Sequence, residues 1–132
     1  MIKRLTMTIE LPPVTKKNNM QLVKNPKTGK LMPIQNKRYR QYEKDAAVFI
    51  KGQGAKIDYP VNVQAVYYMP TRRRVDLINL HAALHDVLVK YEVLEDDNCK
   101  IVVSTDGSRV DYDKEHPRTE VVIEIRKVGQ ND

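Results

Sequence analysis

The sequence predicts an α+β protein in which a mixed β-sheet packs against two main helices. Two observations support this prediction: apolar residues recur at helical spacing in two separate stretches, and stretches rich in Val, Ile, Thr and Tyr surround them. The predicted order is strand, loop, helix, strand, helix, strand, strand, which favours helices laid against one sheet. The 132 residues can bury an ordinary core, so we expect a single domain spanning residues 1–132.

The N-terminal part of the chain combines a strand with a basic segment. Arg4–Leu11 alternates and is rich in Thr, Ile and Leu, which predicts a strand that ends at the following prolines. The next segment is polar and carries a turn signal at Asn25–Gly29. This turn leaves two interpretations open: a short hairpin that joins Met20–Lys24 to Lys30–Ile34, or a mobile loop that becomes ordered only on binding.

The remaining elements outside the central helix follow from periodicity and strand propensity. Asn36–Gly52 is predicted to be helical because tyrosines and small apolar residues recur at spacings of three and four. Val61–Met69 is predicted to be a strand from its Val and Tyr content. Cys99–Thr105 and Thr119–Arg126 are predicted as two further strands, joined by a turn and a polar loop over Asp106–Arg118.

The central helix is the element that the sequence defines best. It runs to Lys90, and Asp76 stands where an N-cap residue would be. One apolar stripe at helical spacing consists of Leu77, Leu80, Leu84, Val87, Leu88 and Tyr91. A neighbouring polar flank consists of Asp76, Asn79, Ala83, Asp86 and Lys90. A second, weakly apolar strip suggests contact with a partner subunit and consists of Ile78, Ala82, His85 and Val89.

The composition is typical of a globular protein that acts on a polyanion. Hydrophobic residues make up 41% and charged residues 30%, which argues against disorder. No apolar run approaches the ~20 residues that cross a bilayer, and the N-terminus lacks the apolar core of a signal peptide, so no membrane partner is expected. The single cysteine, Cys99, cannot form an internal disulfide and fits a reducing cytoplasm, where we expect the protein.

The charged residues are separated along the chain. The formal net charge is +6, with basic residues crowded into the N-terminal third and at Arg72–Arg74. Acidic residues gather at Glu92–Asp97 and at Asp111–Glu115. Guanidinium groups match phosphate oxygens, and carboxylates hold Mg²⁺. The stretch from Arg72 to Lys100 sets both groups side by side, which indicates metal-dependent chemistry on a phosphodiester.

This stretch resembles the RusA family of Holliday-junction endonucleases. The matching residues, with the intervals between them intact, are Arg72, Arg73, Arg74, Asp76, Asn79, Leu80, Asp86, Asp96 and Asp97. Weaker similarity reaches Leu11–Pro13, Lys16–Asn19, Asp106–Arg109 and Asp113–Arg118. The resemblance implies a RusA-like fold and a homodimer that cuts branched DNA in recombination and repair, with Mg²⁺ or Mn²⁺ as the cofactor.

The resemblance and the basic blocks together give a set of candidate site residues. Asp76 and Asp97 are the candidate catalytic residues and metal ligands, with Asp96 as a further catalytic candidate. The candidate DNA contacts are Arg72, Arg73, Arg74, Lys16 and Lys17. Asp97 can return to Asp76 in one protomer only if residues 91–97 run straight back along a helix that is ~18 Å long. Otherwise the two acids meet only across a dimer.

Two departures from the family pattern leave an alternative function open. Ile78 stands where the family has its second aspartate, and Ala82 stands where it has a lysine on the helix. Because carboxylate count governs how firmly a metal is held, these changes predict weakened cleavage. The alternative is a junction-binding protein that no longer cuts DNA.

Some of the polar residues on the central helix also have ordinary structural interpretations. Asp76 also fits the role of a helix cap, and this role is compatible with one as a metal ligand. For Asp86 we favour an ion pair with Lys90, one turn further on, over a role as a metal ligand. His81 and His85 have a spacing that allows zinc binding, but no third and fourth ligand follows at a known spacing, so we do not predict a zinc site.

Overall fold

The computed structural model describes residues 1–16, 20–35 and 37–127, and these contain seven strands and two α-helices. The elements are β1 (Arg4–Ile9), β2 (Met20–Lys24), β3 (Leu31–Gln35), α1 (Lys37–Ala46), β4 (Val61–Met69), α2 (Leu77–Lys90), β5 (Val102–Ser104), β6 (Arg109–Tyr112) and β7 (Arg118–Ile125). The predicted α+β class is confirmed. Within these ranges, no helix combines the length and the apolar character that a membrane span requires.

The main sheet is built around β4. On one side β4 pairs antiparallel with β7, and β1 pairs antiparallel with the outer edge of β7. On the other side β5 pairs parallel with the start of β4, and β6 pairs parallel with its end. The predicted mixed sheet is therefore confirmed. Because β4 ends at Met69 and α2 begins at Leu77, the arginine triplet lies in the short segment that joins them.

Helix α2 supplies much of the core with its apolar stripe. Leu80, Leu84, Val87 and Leu88 are all at most 1% exposed. Burying an aliphatic side chain of this size contributes about 1.5–3 kcal/mol relative to leaving it in water. Ala83 is also buried, so its assignment to the polar flank was wrong. It lies three residues after one buried leucine and four before a buried valine, so its methyl group faces the same core.

Helix α1 and β4 complete the core with tyrosines. Tyr39 and Tyr42 of α1 and Tyr67 of β4 are buried. The phenol groups are also held away from water, since burial raises the pKa of Tyr42 to about 12. The two α1 tyrosines whose spacing indicated a helix therefore face the core.

The basic N-terminal segment contains the hairpin, one of the two interpretations left open. β2 and β3 pair antiparallel and form a two-stranded sheet of their own. In the turn, the backbone N–H of Gly29 donates to the carbonyl of Asn25 at 2.8 Å. The backbone N–H of Lys27 donates to the Asn25 side chain at 2.8 Å. Gly29 adopts a φ of 72°, which favours glycine at this turn position.

Several element boundaries differ from the prediction, and one strand was not predicted. Helix α1 ends at Ala46 and passes into a short 3₁₀ turn, whereas the predicted helix continued to Gly52. The predicted start at Asn36 lies outside the described residues. Strand β5 begins at Val102, after a turn. Strand β6 was missed because it is only four residues long and mostly exposed, within a stretch that was predicted to be a polar loop.

Candidate functional site

Asp76 stands directly before α2 with its side chain exposed to solvent. Its backbone is extended, and its carbonyl accepts hydrogen bonds from the N–H groups of Asn79 and Leu80, both at 3.1 Å. The predicted N-cap position is therefore confirmed. Its carboxylate, however, makes no capping hydrogen bond to the described backbone of α2. That carboxylate accepts a long hydrogen bond of 3.3 Å from the side-chain amide of Asn79. It is thus held loosely at the start of the helix.

The loop after α2 is anchored before it reaches the acid pair. Val93 and Leu94 are buried in the core. The N–H of Val93 donates to the carbonyl of Leu88, and the N–H of Glu95 donates to the carbonyl of Ile57, both at 2.9 Å. Residues 91–95 are therefore fixed against α2 and the loop that precedes β4. This anchoring sets where the two exposed carboxylates that follow can lie.

Asp96 and Asp97 have different electrostatic environments. The Asp96 carboxylate accepts hydrogen bonds from the N–H of Asp97 at 2.8 Å and from the side chain of Asn98 at 3.1 Å. These donors lower the pKa of Asp96. For Asp97, partial burial raises the pKa, and the hydrogen bond with Asp96 and the charge of Asp86 raise it further. The carboxylate of Asp97 therefore lies in a negative potential that a cation would relieve.

Asp86 forms an ion pair with a residue far away in the sequence. Lys16, in the segment after β1, contacts the carboxylate of Asp86. The predicted Asp86–Lys90 pair was wrong, because Lys90 donates to Glu43 of α1 at 2.6 Å. Lys16, predicted as a DNA contact, thus lies in the acidic cluster on α2. Lys17, the other predicted lysine contact, lies outside the described residues.

The three arginines after β4 are exposed and point to two different places. The guanidinium of Arg72 lies over the ring of Tyr112 in β6, 4.3 Å from its centroid, a cation–π contact. Arg73 and Arg74 line a cavity of about 310 Å³ together with Arg38 of α1. The prediction did not include Arg38. Its signal was the basic flank of the first helix, which the sequence alone could not connect to the triplet.

Two histidines on α2 form a contact with the sheet. The hydroxyl of Tyr67 and Nδ1 of His81 are hydrogen-bonded at 2.7 Å, and the rings of His81 and His85 stack 5.5 Å apart. Burial lowers the pKa of His81 to about 4 and also lowers that of His85. Both rings are therefore neutral at pH 7, and they pack between helix and sheet. The structure gives them no zinc ligands within the described ranges.

Residues 10–124 match a family of known proteins described as endodeoxyribonuclease RusA. The chain belongs to the RusA family. The resemblance read from the residues is confirmed, and the matched range includes every candidate site residue. The family is one of DNA endonucleases, so phosphodiester cleavage is the chemistry with which the site must be compared. Among curated proteins, none matches this chain.

The two departures from the RusA pattern lie on the second strip of α2, beside the polar flank that carries Asp86. Ile78 and Ala82 are one turn apart on that strip, and Asp86 follows four residues later at its border. Ile78 is 79% exposed, and Ala82 is also exposed. Between Asp76 and Asp86 this strip therefore presents apolar side chains to solvent. Neither residue has been taken into the core to compensate for the lost polar group.

The carboxylates of this RusA-family chain fit a hard divalent cation in their chemistry. Among the described residues, no group of three or more Asp, Glu, His or Cys side chains could hold a metal ion. Mg²⁺ does not need such a cage, because it commonly binds one or two carboxylates and completes its shell with waters and substrate phosphates. Exposed carboxylates at Asp76 and Asp97 suit that mode of binding.

Proposed function

We propose that this RusA-family protein is a Mg²⁺-dependent endonuclease, with Mn²⁺ able to substitute, that resolves four-way DNA junctions in recombination and repair. The match of residues 10–124 to the RusA family carries the proposal. The exposed arginines at the end of β4 support it, because they can neutralise DNA phosphates. The environment of Asp97 supports it as well: partial burial raises the pKa of this carboxylate, and the neighbouring carboxylates of Asp96 and Asp86 raise it further.

In this proposal the chain's residues divide the work between holding a cation and holding DNA. Asp76 and Asp97 hold the cation, which when bound supplies a water of lowered pKa and offsets the charge that builds up on the phosphate. Asp96 fixes the loop through its bonds to Asp97 and Asn98, and so orients the Asp97 carboxylate. Arg73 and Arg74 hold the DNA backbone beside the acids.

We further propose that the protein acts as a homodimer in the cytoplasm. A four-way junction has near two-fold symmetry and needs two symmetric cuts, which a two-fold dimer with one site per subunit supplies. The exposed Ile78 supports the α2 strip as the contact. Val89 supports it less, because this side chain packs partly against the core of its own protomer. The exposed, unpaired Cys99 is consistent with a reducing compartment.

The alternative is a junction-binding protein that does not cut. One observation favours it: Ile78 and Ala82 leave the exposed flank of α2 without the carboxylate and the cation that the RusA pattern has there. Fewer carboxylates hold a divalent cation less firmly. The two candidate functions share DNA binding and differ only in cleavage, so one assay can separate them.

The test is cleavage of a four-way junction across a Mg²⁺ and a Mn²⁺ titration. We expect cleavage that needs a raised metal concentration, and we expect Asp76→Asn and Asp97→Asn each to reduce the rate by at least ~100-fold. Asp45→Asn is the matched control, because Asp45 is an exposed carboxylate on α1 that accepts a hydrogen bond from Gln41 of the same helix. A rate unchanged in Asp76→Asn would remove that residue from the proposal.

A pair of reversions separates the enzyme from the binding protein. Ile78→Asp combined with Ala82→Lys restores the RusA pattern on the exposed flank of α2. If the natural chain is a weakened nuclease, the double variant should cleave faster at the same Mg²⁺ concentration. Binding without cleavage at every metal concentration in the natural chain, together with cleavage in the double variant, would favour the junction-binding alternative.

A further inference from the structure

A concave, basic cavity lies between the start of α1 and the segment that joins β4 to α2. It has a volume of about 310 Å³, and Arg38, Arg73 and Arg74 line it. The other lining residues are apolar or carry hydroxyl groups, and they include Val14, Thr15, Met69, Thr71 and Val75. No acidic side chain of the described residues belongs to the lining. Three guanidinium groups from two separate elements therefore face one small volume.

These three arginines have no acidic partner among the described residues, whereas several other cations do. Lys16, Arg118 and Arg126 each pair with a nearby carboxylate. By contrast, no ion pair within the described ranges involves the three cavity arginines. Like charges that surround one concavity repel each other and raise the local positive potential. The cavity is thus preformed for an anion.

Arg38 also borders a second cavity, which contains one acid. That cavity is lined by Arg38, Lys37 and Asp45 among others. The Asp45 carboxylate accepts a hydrogen bond of 2.8 Å from the side chain of Gln41. It forms no ion pair with Arg38 in the part of the chain that the structure describes. The Arg38 charge therefore remains available to the basic cavity.

We propose that this cavity is a subsite for one phosphodiester of the DNA backbone, and that Arg38 is an additional phosphate-binding residue. The inference rests on the proposed function in taking DNA as the ligand. Guanidinium groups bind phosphate oxygens two at a time, so arginines that line one cavity from two elements can hold one phosphate in a fixed orientation. Arg74 precedes Asp76 by two residues, or about 7 Å of extended chain. A phosphate held here fixes the strand relative to that acid.

The experiment measures how binding depends on salt, with and without Arg38. Wild type, Arg38→Gln and Lys44→Gln are titrated with a four-way junction and with a linear duplex of the same sequence, in EDTA and over a salt series. Lys44→Gln is the matched control because Lys44 is an exposed cation on the same helix but does not line the cavity. Arg38→Lys is included because it keeps the charge and loses the two-pronged geometry.

We expect Arg38→Gln to reduce the slope of log K against log salt by about 1, and Lys44→Gln to leave it unchanged. Arg38→Lys should keep the slope and bind more weakly. The double variant Arg38→Gln/Arg73→Gln should lose less binding free energy than the sum of the losses in the two single variants, because both side chains hold the same phosphate. Thermal melting of each variant shows that the fold is kept.

Three outcomes would overturn the subsite. An unchanged slope in Arg38→Gln is one, and equal losses in Arg38→Gln and Lys44→Gln, which indicate a diffuse basic surface, are another. The third is that inorganic phosphate binds only when Arg38 is present, whereas the salt slope for DNA is the same with and without Arg38. If the wild type binds junction and duplex equally but Arg38→Gln still lowers both slopes, the subsite stands and the junction proposal fails.

Discussion

Replacing Lys16 by alanine tests how the N-terminal segment is held on the acidic side of α2. Lys16 and Asp86 are 70 residues apart in sequence, and their side chains are 37% and 35% exposed. Removing the lysine leaves Asp86 unpaired beside Asp97, whose pKa its charge already raises. Removing the aspartate instead relieves that repulsion. Lys16→Ala should therefore destabilise the protein more than Asp86→Asn does.

The magnitude follows from the exposure of the pair. Ion pairs at the surface contribute about 0.2–1 kcal/mol, and this pair belongs in the upper part of that range because about two thirds of each side chain is covered. We expect Lys16→Ala to cost about 1 kcal/mol. For a chain of 132 residues, this corresponds to a fall in Tm of about 3–4 °C.

The assay is a double-mutant cycle of Lys16→Ala and Asp86→Asn, in which the stability of each variant is measured by urea unfolding at low and at high salt. The coupling energy should be about 0.5–1 kcal/mol at low salt and smaller at 0.5 M salt, because salt screens partly exposed charges. The Lys90–Glu43 pair provides a control cycle elsewhere on α2. A coupling of zero at low salt, or a larger loss in Asp86→Asn than in Lys16→Ala, would refute the reasoning.

The buried polar contact of α2 and the acid of the loop give three further predictions. Because burial lowers the pKa of His81 from 6.5 to about 4, its stabilising contribution is complete above pH 6.5 and is lost as the pH falls towards 4. Urea unfolding should show that, between pH 7 and pH 4, the free energy of unfolding falls by about 1–2 kcal/mol more in the wild type than in His81→Asn. This figure is smaller than the full pKa shift would give, because His81 is partly exposed to solvent. Tyr67→Phe removes the hydroxyl that is hydrogen-bonded to Nδ1 of His81, and it should lower the free energy of unfolding by about 1–2 kcal/mol at pH 7 in the same assay. An unchanged stability would mean that this hydrogen bond contributes nothing. Because the pKa of Asp97 is raised in the folded protein, ionisation of this carboxyl group opposes folding as the pH rises above its usual pKa. Thermal melting at pH 7 should therefore show that Asp97→Asn is at least as stable as the wild type, by up to about 0.5 kcal/mol. A clear loss of stability in this variant would contradict the sign of the effect.

Local periodicity was enough to define the elements that bury an apolar face. Strand β4 has the predicted bounds, and α2 ends at the predicted Lys90. Strand β6 escaped because its side chains are exposed and only its backbone pairing with β4 makes it a strand. Ala83 was misplaced because a small residue on the border of two helix faces carries little periodic signal.

Long-range side-chain contacts were beyond the reach of sequence spacing. The spacing of four residues between Asp86 and Lys90 suggested a local pair, yet each side chain found a partner on another element. Arg72 belongs to a basic triplet by sequence, but the ring of Tyr112 draws it away from its neighbours. The roles of Asp76, Asp96 and Asp97 in catalysis remain predictions that rest on their pattern in the sequence.

The most direct measurement of the central claim is the single-turnover cleavage rate of a four-way junction against Mn²⁺ concentration. It compares wild type, Asp76→Asn, Asp97→Asn and the double variant. If both carboxylates hold one cation, each single change raises the half-saturating concentration and lowers the rate, and the double variant is hardly worse than the more damaged single one. A single variant that keeps the wild-type half-saturation and rate would contradict the shared site.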